Sequence, residues 1–327
     1  MAAELTPWPW QIEPWRRLYA QRQRGQMPHA ILLTGQPGLG LNHFASVLAQ
    51  SLLCDQPRDD GQPCGDCGPC RQFAGDVHPD FQRLTLLEDK KHILVDQIRE
   101  INEFIGLTSG GSGRKAVVIS PADRMNVNAA NSLLKTLEEP PGDITIILVA
   151  RQLHLLPATI KSRCQMLKFS PPSREEASAW LSQRGHADPE ALLQLGQGAP
   201  CLAERMDDPS LFQAYDAVAS DIIDLLQGRK TFPQLRGDWR GRDIHRLMDW
   251  SLSLLRDCIR AASYPADGRF ENPGRIADLR EIANRLHLSR LFTVHDHLVA
   301  LMNRLEHPLN QELLLDDLLL SWQSLGR

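Results

Sequence analysis

Over the first half of the chain, uninterrupted apolar runs alternate with stretches whose apolar residues recur every three to four positions. Residues 30–34, 115–119 and 144–149 read as strands buried on both faces, and 81–87 as a further strand. Helical spacing predicts helices over 13–23, 42–53, 95–105 and 128–139. Phe44, Val47, Leu48 and Leu52 share a face in the second of these, and Ile98, Ile101 and Ile105 in the third. Met27-Pro28-His29 breaks the chain ahead of the first strand, and Pro140-Pro141 stops the fourth helix. Doubly buried strands alternating with helices predict a parallel α/β sheet. In this reading 144–149 is the last sheet strand, a short helix over 156–161 follows it, and Phe169-Ser170-Pro171-Pro172 ends the pattern.

Two segments interrupt the α/β pattern. Residues 54–75 are rich in Cys, Gly, Pro and Asp and show neither period, so they read as an insertion without a strand or helix of its own. Residues 108–113, Thr-Ser-Gly-Gly-Ser-Gly, read as a flexible loop. Beyond residue 172 only helical spacing remains. Helices are expected over 173–184, where Glu175 and Glu176 suit the positive end, and over 189–195, before the turn Gly196-Gln197-Gly198-Ala199-Pro200. Further helices are expected near 210–227, 243–263, 273–287, 289–306 and 309–324. The expected organisation is an α/β core over 1–169, a small helical domain over 170–207 and an all-α bundle over 208–327.

The first predicted strand runs into Gly35-Gln36-Pro37-Gly38-Leu39-Gly40-Leu41-Asn42, the frame of a G-x-x-x-x-G-K-[S/T] phosphate loop. Gly35, Gly38 and Gly40 are in place, and the following helix start favours an anion. Leu41 stands where the lysine should reach the β- and γ-phosphates, and Asn42 where a hydroxyl should hold Mg²⁺. Each charge-assisted hydrogen bond so lost is worth about 1.5–3 kcal/mol. The acidic pair that should close the third strand is missing as well, because Ser120 and Pro121 occupy its positions. Asp123 comes three residues late and reads as a helix cap or a surface charge. Two phosphate motifs fail independently, so a former or weak nucleotide site is expected, with Asn42 left to contact a diphosphate weakly, and self-catalysed hydrolysis is not. A nucleotide-hydrolysing subunit with a relaxed loop is the alternative, and it would call for a lysine at 41 and acids at 120–121.

Cys54, Cys64, Cys67 and Cys70 give the spacing C-x₉-C-x₂-C-x₂-C. Thiolates two residues apart turn onto one tetrahedral Zn²⁺, and Gly65 and Gly68 permit the turns. Four thiolates close the shell, so the predicted metal is structural and staples an insertion without a core of its own. His78 offers a substitute ligand or only marks the chain returning to the core. A zinc-dependent nucleic-acid module is a second alternative, opposed by a net charge of −4 and by the scarcity of basic residues among the clustered cysteines, where Arg58 stands alone. Seven cysteines is an odd number, and the first nineteen residues lack a basic stretch followed by an apolar core, so a cytoplasmic, membrane-free protein is expected.

Ser162-Arg163-Cys164 follows the short predicted helix and places a guanidinium on the domain surface, away from this chain's own phosphate loop. Together with Ala30-Ile31-Leu32-Leu33-Thr34-Gly35, the four-cysteine insertion, the run from Asn131 to Pro141 (NSLLKTLEEPP) and the run from Leu156 to Cys164 (LPATIKSRC), this motif resembles the AAA+ clamp-loader family of bacterial replication. The resemblance is strong over residues 1–205 and rests on Asn310-Gln311-Glu312-Leu313-Leu314 in the bundle. It implies an AAA+ core, a helical lid and a helical collar within a hetero-oligomer of a replicative DNA polymerase holoenzyme. The implied partners are gamma/tau ATPase subunits and a delta subunit, with the sliding clamp and primer-template DNA reached through the complex. It implies a non-hydrolysing subunit that scaffolds the pentamer, carries structural zinc, and offers Arg163 as an arginine finger to a neighbour's ATP. A lid arginine near the turn at 196–200 is also missing, since Arg205 comes late.

Overall fold

A computed structural model describes residues 6–87, 90–111, 113–196, 198–263, 270, 275–304 and 310–326. Ser112, Gln197 and the expected helix ends at 273–274 and 305–306 lie outside the described residues. The chain divides into two compact units, Met1–Glu176 and Ala177–Arg327. The segments expected as lid and collar both fall almost wholly in the second.

In the first unit the apolar runs become a parallel sheet. The strands are β1 (Ala30–Gly35), β2 (Phe81–Leu84), β3 (Arg114–Ile119), β4 (Asp143–Ala150) and β5 (Gln165–Phe169), ordered β2-β3-β4-β1-β5. The central strands β3, β4 and β1 are buried from end to end or nearly so, as continuous apolar runs require. The helices are α1 (Ile12–Gln23), α2 (Leu41–Leu53), α3 (Gly68–Ala74), α4 (Val95–Gly106), α5 (Val127–Glu138) and α6 (Ala158–Lys161). Asn126 starts α5 by accepting the Ala129 N–H at 2.8 Å. Buried Lys115 closes the other end of α4, donating through Nζ to the carbonyls of Phe104 and Leu107 at 2.5 and 2.6 Å.

Three expectations are corrected. The strand at 144–149 is not the last: β5 pairs with β1 as a parallel edge strand, Ile31 opposite Gln165 and Gly35 opposite Phe169. It alternates buried and exposed residues, so it lacks the continuous apolar run that marked its neighbours. The strand expected over 81–87 stops at Leu84. The insertion contains a helix after all, because α3 buries Cys70 and Phe73, and the Phe73 ring lies 4.4 Å from that of Phe81.

The second unit is helical. After α7 (Arg174–Gln183), which begins in the first unit, come α8 (Pro189–Leu195), α9 (Pro200–Met206), α10 (Pro209–Leu226), α11 (Phe232–Trp239), α12 (Ile244–Ser263), α13 (Ile276–Ala283), α14 (Leu288–Arg304) and α15 (Gln311–Leu325). α9 and α11 were not expected; each is a short helix entered through a proline, too brief to show a helical period. Trp239 and Trp322 are fully buried in one core with Met248, Leu255 and Leu298. Asp221 ties α10 to α11 there, accepting the Trp239 Nε1–H at 2.8 Å and a Lys230 Nζ–H at 2.6 Å.

Candidate functional site: a covered phosphate loop, a cysteine cluster and Arg163

The loop after β1 turns through its glycines and is covered by the chain's own N-terminal segment. Gly38 and Gly40 take left-handed conformations, φ 85° and 73°. A Cβ on Gly40 would lie 1.9 Å from the Trp8 ring, so the indole packs directly on the glycine. Trp8 also stacks on His43, with centroids 4.1 Å apart and planes 7° from parallel. Trp10 Nε1 donates to the Leu39 carbonyl at 2.9 Å, and Gln11 Nε2 to the Leu39 and Gly40 carbonyls at 3.0 and 3.1 Å. Leu41, in the lysine position, is buried.

Asn42 and Ser120, the stand-ins for the two metal-holding positions, meet each other. The Ser120 hydroxyl donates to Asn42 Oδ1 at 2.6 Å. An uncharged hydrogen bond thus joins the two places where a phosphate site needs a hydroxyl and a carboxylate around Mg²⁺. Asp123 does not supply the missing charge, and it is neither a helix cap on the surface nor a surface charge. It is buried and accepts the backbone N–H groups of Arg151 and Gln152, both at 3.2 Å, closing the chain after β4. Arg205 lies in the last turn of α9.

The four cysteines converge. Their sulfur atoms lie within 4.8 Å of one another, with Sγ–Sγ separations of 3.6 Å for Cys54–Cys64, 3.8 Å for Cys54–Cys67 and 3.9 Å for Cys64–Cys70. Four sulfurs about 2.3 Å from a tetrahedral ion stand about 3.8 Å apart, so the donor set fits a metal; a disulfide would need about 2.05 Å. Burial pushes the Cys54 and Cys70 thiols up. Burial also opposes ionisation of Cys64, but the amides of Cys67 and Asp66 and the neighbouring thiols outweigh it and bring that thiol to about 7. His78 is not in the cluster; it is buried, and its Nδ1 accepts the Asp80 N–H at 3.0 Å. The insertion docks on the first two helices through the Trp15 Nε1–H to the Asp60 carbonyl at 2.9 Å, the Tyr19 hydroxyl to the Asp59 carbonyl at 2.8 Å and the Ser51 hydroxyl to the Gly61 carbonyl at 2.6 Å.

Arg163 lies two residues before β5, whereas the phosphate loop follows the far end of β1, to which β5 is parallel. The two therefore sit at opposite ends of this strand pair, separated by about the length of β5, about 13 Å. The Arg163 side chain is 33% exposed, ion-paired through Nη2 with Glu138, and donates through Nη1 to the Thr159 carbonyl at 2.9 Å. Sequence reasoning missed the Trp8 and Gln11 cover, the Asn42–Ser120 bond and the Glu138 partner. Each is a contact between segments far apart in the chain, and the only advance sign was the clustering of Trp8, Trp10 and Trp15.

A model of the family described as DNA polymerase III, delta subunit, matches residues 10–173, and one described as DNA polymerase III, delta subunit, C terminal, matches residues 209–324. The DNA polymerase III subunit delta' of Pseudomonas aeruginosa is 34% identical over 97% of this chain and 98% of its own length. Subunit delta' of Escherichia coli is 30% identical over 96% of this chain and 94% of its own. Among solved structures, a DNA polymerase III gamma subunit-related protein from Thermotoga maritima aligns over 97% of this chain and 100% of its own at 19% identity, with a TM-score of 0.42. Two family models and relatives matched over nearly their full length agree with the motifs: the chain belongs to the delta' subunit family of the DNA polymerase III clamp loader, within the AAA+ proteins.

Proposed function

We propose that this chain is a non-hydrolysing clamp-loader subunit that scaffolds the assembly and supplies Arg163 in trans to the ATP of a neighbouring ATPase subunit. The neighbours would be gamma/tau and delta subunits, acting on a sliding clamp and primed DNA. The reading divides the chain into an AAA+ core over 1–169, a lid over 170–207 and a collar over 208–327. Cys54, Cys64, Cys67 and Cys70 would hold one structural Zn²⁺, which closes the insertion and leaves no open coordination position for chemistry.

The observation that carries the reading is the Asn42–Ser120 hydrogen bond. Two neutral side chains satisfy each other where an ATPase would hold Mg²⁺, and Trp8 and Gln11 cover the loop that would receive the phosphates. Gly35, Gly38 and Gly40 then shape the turn without making a working nucleotide site. Arg163 stands at the other end of the strands, too far to serve its own loop. A guanidinium is permanently charged and forks onto phosphate oxygens, as stabilisation of transferring phosphoryl groups requires. The test is turnover of ATP by the purified chain with Mg²⁺, and by a reconstituted loader with and without it. The purified chain should turn over no ATP, and its addition should raise turnover by the ATPase subunits. Robust hydrolysis by the chain alone would instead favour the active-ATPase alternative.

A further inference from the structure

We infer that Glu138 is a positioning residue for Arg163, an inference that rests on the trans role proposed for that arginine. Glu138 is the last residue of α5, and Arg163 follows α6 by two residues. α6 is seated on α5 by apolar packing: Leu156 and Ile160 are buried in the same cluster as Ala129, Ala130, Leu133 and Leu137. One helix thus does two things. Its apolar face fixes the backbone that carries Arg163, and its final carboxylate fixes the guanidinium.

The side-chain contacts leave the arginine able to work. Nη2 meets Glu138 and Nη1 meets the Thr159 carbonyl, with the Ser162 hydroxyl at 3.4 Å. A guanidinium has five N–H donors in a rigid fork, so holding part of it inward leaves donors for a phosphate oxygen. Arginine is long and rich in rotamers. A carboxylate that selects one of them beforehand reduces the ordering required when a neighbour's nucleotide arrives. The pair itself is partly solvated, with 33% and 48% of its two side chains exposed, and such pairs add little to folding stability. Removing Glu138 should therefore disturb the aim of Arg163 and leave the fold intact.

The test is a double-mutant cycle on ATP turnover by the reconstituted loader. Glu138→Ala should lower turnover at the neighbouring site about tenfold, seen as a fall in loader kcat toward the level of Arg163→Ala with KM for ATP little changed, and Glu138→Gln should lose less. In an Arg163→Ala background, Glu138→Ala should cause no further loss, and the melting temperature of the chain should stay the same throughout. Unchanged or raised turnover in Glu138→Ala, or the same fold-loss in both backgrounds, overturns the positioning role while leaving Arg163 in place. If Arg163→Ala itself changes nothing, the trans role and the positioning role fall together.

Discussion

The phosphate loop and the Arg163 corner belong to one sheet, yet their chemistry is opposite. At the loop, the contacts are neutral and turned inward: indole on glycine, amide on carbonyl, hydroxyl on amide. At the corner, a permanent charge stands one-third exposed, held by an opposite charge. The parallel pairing of β1 and β5 puts them at opposite ends of neighbouring strands. On the proposed reading, the domain has no phosphate chemistry of its own and keeps a surface that acts on a neighbour's. Gly40 is required by the backbone whether or not a nucleotide binds, since it is left-handed and pressed by Trp8.

The sharpest way to break this contrast is Arg163→Ala. Arginine fingers in phosphoryl transfer are worth about 10³–10⁵ in rate. The neighbouring site served by this chain should lose about 10³-fold, and the turnover of the reconstituted loader should fall to what its other sites sustain. Assembly, followed by size-exclusion chromatography, should be unchanged. Full turnover with the variant would show that the charged corner is only surface.

Metal removal probes the loop side and should have a smaller effect. The insertion is tied to α1 and α2 by the Trp15, Tyr19 and Ser51 hydrogen bonds, and α1 directly follows the segment that covers the loop. Losing three bonds of about 1 kcal/mol each corresponds to a fall of about 6–12 °C in melting temperature for a unit of this size. Chelation, or Cys70→Ser, should produce that shift and release about one equivalent of zinc per chain. Unchanged melting together with no bound metal would leave the four thiols without a structural role.

Legibility in the sequence followed the type of contact. β1, β3 and β4 were plain because strands buried on both faces are continuous apolar runs. β5 was missed because an edge strand with exposed Met166 and Lys168 reads like a loop. The cysteine cluster was legible from spacing alone, because metal ligands must converge whatever surrounds them. The emptied lysine and acid positions were also legible, as departures from a fixed motif. What replaced them was not: Asn42 and Ser120 lie 78 residues apart and Gln11 and Leu39 lie 28 apart, and no local pattern announces such pairings. Glu138 was visible as a helix end but not as a partner of Arg163, because an ion pair between two helix ends leaves no periodic trace.

The smallest expected effect is also informative. Restoring the loop's two lost side chains, Leu41→Lys with Asn42→Thr, should give no measurable ATP turnover by the purified chain. The lysine would enter a buried position, the opposing side chain would still be Ser120 and not an acid, and Trp8 would still lie on Gly40 and His43. A magnesium-dependent site needs the hydroxyl, the carboxylate and open access together, and the double substitution supplies only the first of these. Turnover and binding of a fluorescent nucleotide, measured beside the unaltered chain, check it. If hydrolysis appeared, the loop would have been silenced by its charge alone, and the Asn42–Ser120 bond and the N-terminal cover would be consequences of that loss and not its causes.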